Sequence, residues 1–162
     1  MKMRIGVISD THLKEPDPLL RKVVTDFFAD ADMILHAGDI VSIEVLEAFK
    51  GHKLIAVAGN KDGADIRKHL PEKEILELGG FRIGLIHGRG PPIGLRKRVV
   101  SCFQEIHCLV YGHTHWAYNR RNRDGVLLFN PGSFSSGLFS GWRRSIGILT
   151  LDRGLRAEII RL

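Results

Sequence analysis

Short apolar runs, each closing on a polar residue, set the rhythm of the chain up to residue 130. "RIGVIS" ends at Asp10, "MILHA" leads into Gly38 and Asp39, and "KLIAVA" into Gly59 and Asn60. "FRIGLI" leads into His87 and Gly88, "HCLVY" into Gly112 and His113, and "VLLF" into Asn130 and "PGS". Runs of this length, β-branched and nearly continuous, predict strands buried on both faces. Between the early runs the period changes. "DPLLRKVVTDFFADA" (17–31) sets Leu19, Val23 and Phe27 at helical spacing, with Pro18 suited to a first turn. "SIEVLEAFKG" (42–51) opens on a candidate N-cap, Ser42, carries Glu44 and Glu47, and stops at Gly51. "GLRKRVVSCF" (94–103) is a third helical stretch.

From about Trp116 the pattern is strand and turn: "WAYNRR", "NRDG", "VLLF", then "SIGILTL" and "LRAEIIRL" joined by "DRG" as a terminal hairpin. The expected fold class is α/β, with parallel βαβ units first and antiparallel strands later. Two packed sheets covered by helices would bury these runs. In open α/β sheets a ligand crevice lies beyond the carboxyl ends of the strands. Asp10, Asp39, Asn60, His87 and His113 all fall there.

Composition narrows the class. A chain of 162 residues predicts one domain over 1–162 with a real core. No run approaches the roughly 20 apolar residues of a membrane span, and the apolar stretch before Asp10 is too short for a signal peptide. Two cysteines, Cys102 and Cys108, fit reduced thiols and a cytoplasmic protein better than a disulfide scaffold. The formal charge of +6 and the basic clusters at 96–98, 120–123 and 143–144 admit an anionic partner. That partner is a phosphorylated small-molecule substrate or a nucleic acid; clusters this short also read as a solvated surface.

The chemistry starts at "YGHTH" (111–115). In extended chain residues i and i+2 point to one side, so His113 and His115 are expected to converge. With Asp10, His12, Asp39, Asn60 and His87 they form a set of competent metal ligands: carboxylate oxygen, amide oxygen and imidazole nitrogen. Asp and Asn also favour turns for backbone reasons. Consecutive strand ends all carrying such groups point past turns to a metal site. Seven side chains are too many for one ordinary ion. If Asp39 bridges, they supply four bonds to each of two ions. A shared water completes the plan of a two-metal hydrolytic centre, with ions about 3.5–4 Å apart.

These residues also resemble a known family. "DTH" (10–12), "GD" (38–39), "GNKD" (59–62), "HG" (87–88) and "GHTH" (112–115) are similar to the five ordered motifs of calcineurin-like metallophosphoesterases. "NPGS" (130–133) matches as well, and the lack of a large insertion resembles the small single-domain bacterial and archaeal phosphodiesterase branch. The resemblance implies a four-layer α/β-β/α sandwich of two mixed sheets flanked by helices. It implies a phosphoesterase that hydrolyses phosphodiesters of small molecules by attack of a metal-bridging hydroxide. One metal falls to Asp10, His12, Asp39 and His115, the other to Asp39, Asn60, His87 and His113. The two divalent transition-metal ions are expected to be Mn first, with Ni, Fe, Zn or Co as the other choices.

His12, Asn60 and Lys61 are the catalytic candidates, as donors around the developing charge. Many family members carry a leaving-group histidine where this chain has Lys61, which implies slow hydrolysis of poor leaving groups, or a phosphate clamp. Asp62 is expected to orient a ligand or to pair with Lys61. Arg89 reads as a substrate contact or a surface arginine, and Asn130 and Ser133 as one wall of the site. His36 reads as a packed residue, and His52, His69 and His107 as structural or surface. "FSSGLFSGW" (134–142) reads as a rim, a subunit contact compatible with a homodimer, or a segment packed on its own sheet. The resemblance leaves two further readings: a non-catalytic scaffold of the same fold, as in the retromer complex, and a nuclease using the basic surface.

Overall fold

The computed structural model describes residues 2–135, 137 and 143–162. Its elements follow in chain order. They are β1 (Met3–Ile8), α1 (Pro18–Phe27), β2 (Met33–His36), a 3₁₀ helix (Ile43–Phe49), β3 (Leu54–Ala56) and α2 (Ala64–His69). Then come β4 (Lys73–Leu78), β5 (Phe81–Ile86), α3 (Leu95–Val100), β6 (Cys108–Tyr111), β7 (Tyr118–Arg121), β8 (Leu127–Asn130), β9 (Ser145–Leu151) and β10 (Leu155–Arg161).

Two five-stranded mixed sheets result, ordered β10-β9-β1-β2-β3 and β4-β5-β6-β8-β7. β1, β2 and β3 run parallel, as do β5, β6 and β8, so each sheet sends a set of carboxyl ends the same way. The inner faces meet through Ile5, Val7 and Leu35 of one sheet and Ile83, Leu85 and Val110 of the other, all fully buried. Each such side chain contributes about 1.5–3 kcal/mol. Outside the first sheet, Leu20, Val23 and Phe28 pack on Ile8, Ile34 and Ile148. Outside the second, Leu95 and Val99 pack with Leu109 and Tyr111. That is the expected helix–sheet–sheet–helix sandwich.

Three details differ from the sequence expectation. Segment 42–51 is a 3₁₀ helix rather than an α-helix, and the Ser42 hydroxyl donates to the Glu44 carboxylate instead of capping the backbone. β8 pairs parallel with β6, although the later strands were expected to be antiparallel; β7, β9 and β10 do pair that way. α2 and β4 have no counterpart in the pattern of apolar runs. β4 mixes Lys and Glu with Ile and Leu without strict alternation as an edge strand, and Gly79 and Gly80, both at positive φ, turn it into β5. No helix among the described residues is long and apolar enough to cross a membrane.

Candidate metal centre

The carboxyl ends of β1, β2 and β3 meet those of β5, β6 and β8 across the sandwich. Loop backbones are tied directly: Asp10 N donates to Gly38 O (3.0 Å), His12 N to Asp39 O (3.1 Å) and Gly112 N to His87 O (3.2 Å). Close approach needs glycine at two places. A Cβ at Gly112 would lie 2.1 Å from Ser9 Oγ, and one at Gly59 would lie 2.2 Å from Asp39 Oδ1.

Five candidate ligands sit in the left-handed region: Asp10 (φ 53°), His12 (48°), Asp39 (55°), His113 (71°) and His115 (61°). Asp and His tolerate this region better than most residues, but each costs on the order of 1 kcal/mol or more and persists only where its surroundings over-determine it. This corrects the extended-chain reasoning for "GHTH". The histidines do not aim at one point: His115 Nε2 reaches Asp10 Oδ1 (3.1 Å), while His113 Nδ1 reaches Asn60 Oδ1 (2.8 Å).

Two clusters share Asp10. Asp10, His12 and His115 form one, and Asp10, Asp39 and His87 the other. Asp39 Oδ2 lies between His87 Nε2 (3.3 Å) and His12 Nε2 (3.6 Å), and Asn60 Oδ1 lies 3.1 Å from His87 Nε2. The structure thus brings all seven candidates together. Asp10 Oδ1 is the atom common to the tight clusters, whereas the motif assignment shares Asp39. Asp10 Oδ1 and His12 Nε2 are buried without a hydrogen-bond partner, 3.7 Å apart. Buried polar atoms without hydrogen bonds are costly, and a cation held among these carboxylates and imidazoles would satisfy both. The donor set therefore fits divalent transition metals.

Neighbouring carbonyls set the imidazole tautomers. His87 Nδ1–H donates to Ala37 O (2.7 Å) and His113 Nε2–H to Gly90 O (2.8 Å), leaving His87 Nε2 and His113 Nδ1 to face the cluster. Burial alone would raise the Asp10 carboxyl, but the imidazoles of His115, His12 and His87 hold it far below the usual carboxylate range. For Asp39 the same opposition, with burial against His87 and the Lys61 N–H, also ends in a lowered value. Burial would depress His87, yet the Asp39 and Asp10 carboxylates beside it leave it raised. His36 goes the other way. Burial pushes it down to about 3, so it is neutral; Nδ1 accepts from Gly38 N and Nε2–H donates to Thr11 Oγ1, both at 3.2 Å. It thereby braces the Asp10–His12 and Asp39 loops against each other.

The remaining candidates divide clearly. Lys61 binds Asp39 Oδ1 through its backbone N–H (2.7 Å), and the residue is exposed. Asp62 does not pair with Lys61. Its buried carboxylate accepts from Asp39 N (3.1 Å), Val41 N (2.6 Å) and Gly59 N (2.7 Å). Asn130 and Ser133 are fully buried braces: Asn130 Nδ2 donates to Gly112 O (2.9 Å) and Ser133 Oγ to Asp10 O (3.2 Å). Arg67, which sequence reasoning missed, donates to Asp62 O (2.8 Å), Gly59 O (3.2 Å) and Asn60 O (3.3 Å), clamping the Asn60 loop. Its only sequence signal was its place in the unassigned α2. Ring nitrogens of His69 and His107 bond the backbone of Asp65 and of Arg82, outside the site. Cys102 and Cys108 are free thiols, and burial pushes Cys108 up to about 12. Of "FSSGLFSGW", residues 136 and 138–142 lie outside the described residues; Phe134 is buried against the first sheet's outer face.

The family model for the calcineurin-like phosphoesterase superfamily domain matches residues 3–154. The chain belongs to this superfamily. A probable metallophosphoesterase of Methanocaldococcus jannaschii is 42% identical over 137 residues, covering 81% of this chain and 68% of that protein. Another, from Methanothermobacter thermautotrophicus, is 37% identical over 163 residues, covering 98% and 92%. Among solved structures, a predicted phosphoesterase from Streptococcus pneumoniae superposes with a TM-score of 0.77 at 23% identity, covering 99% of this chain and 90% of that one. A structure titled as a novel archaeal phosphodiesterase gives 0.73 at 28%, covering 98% and 100%. Vacuolar Protein Sorting 29 from Cryptosporidium parvum gives 0.74 at 21%, covering 99% and 98%, a likeness of fold. This calcineurin-like phosphoesterase therefore has the two-sheet sandwich of its family, and its acidic and imidazole cluster is the candidate site of the family's metal dependence.

Proposed function

We propose that the chain is a dinuclear metal-dependent phosphodiesterase acting on phosphorylated small molecules. The observation that carries the reading is that Asp10 Oδ1 and His12 Nε2, buried 3.7 Å apart, lack a hydrogen bond inside a group of four histidines, two aspartates and Asn60. Asp10, His12, Asp39 and His115 would hold one ion, and Asp39, Asn60, His87 and His113 the other. Two such ions, Mn²⁺ foremost, would supply hydroxide near neutral pH and Lewis-acid stabilisation of phosphoryl charge.

The protein's part is positioning. Ala37 O and Gly90 O fix the rings of His87 and His113, and Asp62 holds the Asp39 and Gly59 backbones. The half-buried ring of His12 and the side-chain amide of Asn60 would donate to a phosphoryl oxygen as charge develops. Lys61, exposed, stands where many family members carry a near-neutral proton donor, which favours esters with good leaving groups over those with poor ones. The test is a matched panel. Bis(p-nitrophenyl) phosphate should be hydrolysed with Mn²⁺ and not with EDTA, at a kcat/KM well above that for p-nitrophenyl phosphate. A preference for the monoester would overturn the diester assignment.

A further inference from the structure

Beside the metal-ligand cluster opens a cavity of about 680 Å³, with Asn60 and His87 in its wall. It lies between the chain entering β4 and helix α3: Lys73 pairs with Ile86, the residue before His87, and its ammonium reaches Cys102 O (3.0 Å) beyond the end of α3. The volume is that of a small-molecule site, larger than the reacting phosphate needs. Its wall has two characters. Ala58, Leu70, Ile86, Leu95 and Val99 give it an apolar surface. Arg67, Lys73, Arg89 and Arg98 surround that surface, with Glu72 as the one carboxylate in the lining.

None of these five charged groups is in an ion pair among the described residues. Arg67, Lys73 and Arg98 are held by backbone carbonyls, Arg98 by Ile93 O (2.9 Å), Arg89 O (3.2 Å) and Pro91 O. Those bonds fix guanidinium and ammonium positions without neutralising their charge. Arg89 differs: it is exposed, it follows His87 by two residues, and its guanidinium has no hydrogen bond among the described residues. Four cations against one anion leave the wall with three uncompensated positive charges.

From this we infer that the cavity is the subsite for one ester arm of the substrate. The arm bears a ring-sized body and a second anionic group, and Arg89 selects it by binding that anion. The inference rests on the phosphodiesterase reading. The apolar wall takes the ring, and a fixed basic rim with one free guanidinium takes the extra charge in charge-assisted hydrogen bonds. A methyl or ethyl arm would leave the cavity unfilled.

Substrates sharing one leaving group separate the two claims. Kinetic constants would be measured with Mn²⁺ for three nitrophenyl diesters whose other arm is methyl, 5′-thymidyl or 3′-phospho-5′-thymidyl. A fourth, with a carboxyphenyl arm, distinguishes a nucleotide from another ring-bearing anion. The expected order is methyl lowest, thymidyl higher, and the anionic-ring arms highest, with about tenfold in kcat/KM for the second charge. Arg89→Gln should lower that charge-dependent ratio about tenfold, and Arg89→Lys should restore part of it. Calorimetric titration of thymidine 3′,5′-bisphosphate against thymidine 5′-phosphate should show the same Arg89-dependent preference in binding. Equal constants across all arms, or a ratio unchanged in Arg89→Gln, overturn the subsite. No metal-dependent hydrolysis of any arm, the methyl diester included, instead overturns the phosphodiesterase reading.

Discussion

Asp62 is the test of how the ligand loops are held. Its carboxylate is 4% exposed and accepts three backbone N–H groups, from Asp39, Val41 and Gly59. Hydrogen bonds to a charged acceptor contribute about 1.5–3 kcal/mol each, and a buried N–H left unpaired costs about 1–3 kcal/mol. Asp62→Ala strips three at once, so even at the lower figure it should destabilise the metal-free protein by roughly 4.5 kcal/mol. That is a large share of the 5–15 kcal/mol typical of a domain. Asp62→Asn can keep the bonds from Asp39 and Gly59 on its remaining oxygen but sets an amide N–H against Val41 N–H, for about 2 kcal/mol. Urea unfolding in EDTA measures both. Because the Asp39 backbone moves with its partner, Mn²⁺ affinity should weaken 10–100-fold in either variant, read by calorimetry. If Asp62→Ala fails to fold, the asparagine variant carries the test. A surface pair with Lys61 would give at most about 1 kcal/mol. A loss that small for Asp62→Ala, with unchanged metal affinity, would refute the bracing role.

Three more predictions follow from the site itself. Asp39→Asn should lower kcat more than any other single ligand substitution, since Asp39 Oδ2 lies between His12 and His87; a larger loss in Asp10→Asn, whose Oδ1 joins both clusters, would make Asp10 the principal shared ligand. Lys61→His should raise kcat/KM on an alkyl phosphodiester more than on a nitrophenyl diester, by restoring a proton donor worth typically 10²–10⁴-fold where protonation limits the rate; a uniform loss on both would mark Lys61 as a phosphate clamp. The raised His87 value means its proton is held below that value and lost as pH rises through it, so the stability it contributes to the metal-free protein is full at low pH and fades upward. Metal binding near pH 6.5 must displace this proton, so the binding enthalpy should vary with the buffer's ionisation enthalpy and affinity should rise with pH; buffer-independent enthalpy would contradict the assignment.

The strand ends were legible because each apolar run stops at a polar residue, and period alone locates both. Ligand identity followed from residue types at those ends. What escaped the sequence depends on backbone state and long-range contact. The left-handed φ at His113 and His115 reverses the extended-chain geometry, and no local pattern announces it. α2 is a short helix with only Ile66 buried, and β4 carries charges on its exposed side, so neither has a clean apolar stripe. The three-way role of Asp62 joins residues 39, 41 and 59, which only the fold brings together. Ser42 reads as an N-cap from its type and position, yet its hydroxyl is taken by Glu44.

Metal stoichiometry with matched turnover is the most direct measurement. The chelator-stripped protein would be titrated with Mn²⁺, bound metal counted by inductively coupled plasma mass spectrometry, and hydrolysis of bis(p-nitrophenyl) phosphate followed at each point. The account predicts turnover rising to a plateau at two ions per chain and abolished again by EDTA. A folded protein that binds no metal, or that binds two ions and hydrolyses no phosphoester, would contradict the catalytic claim and leave the fold serving as a scaffold.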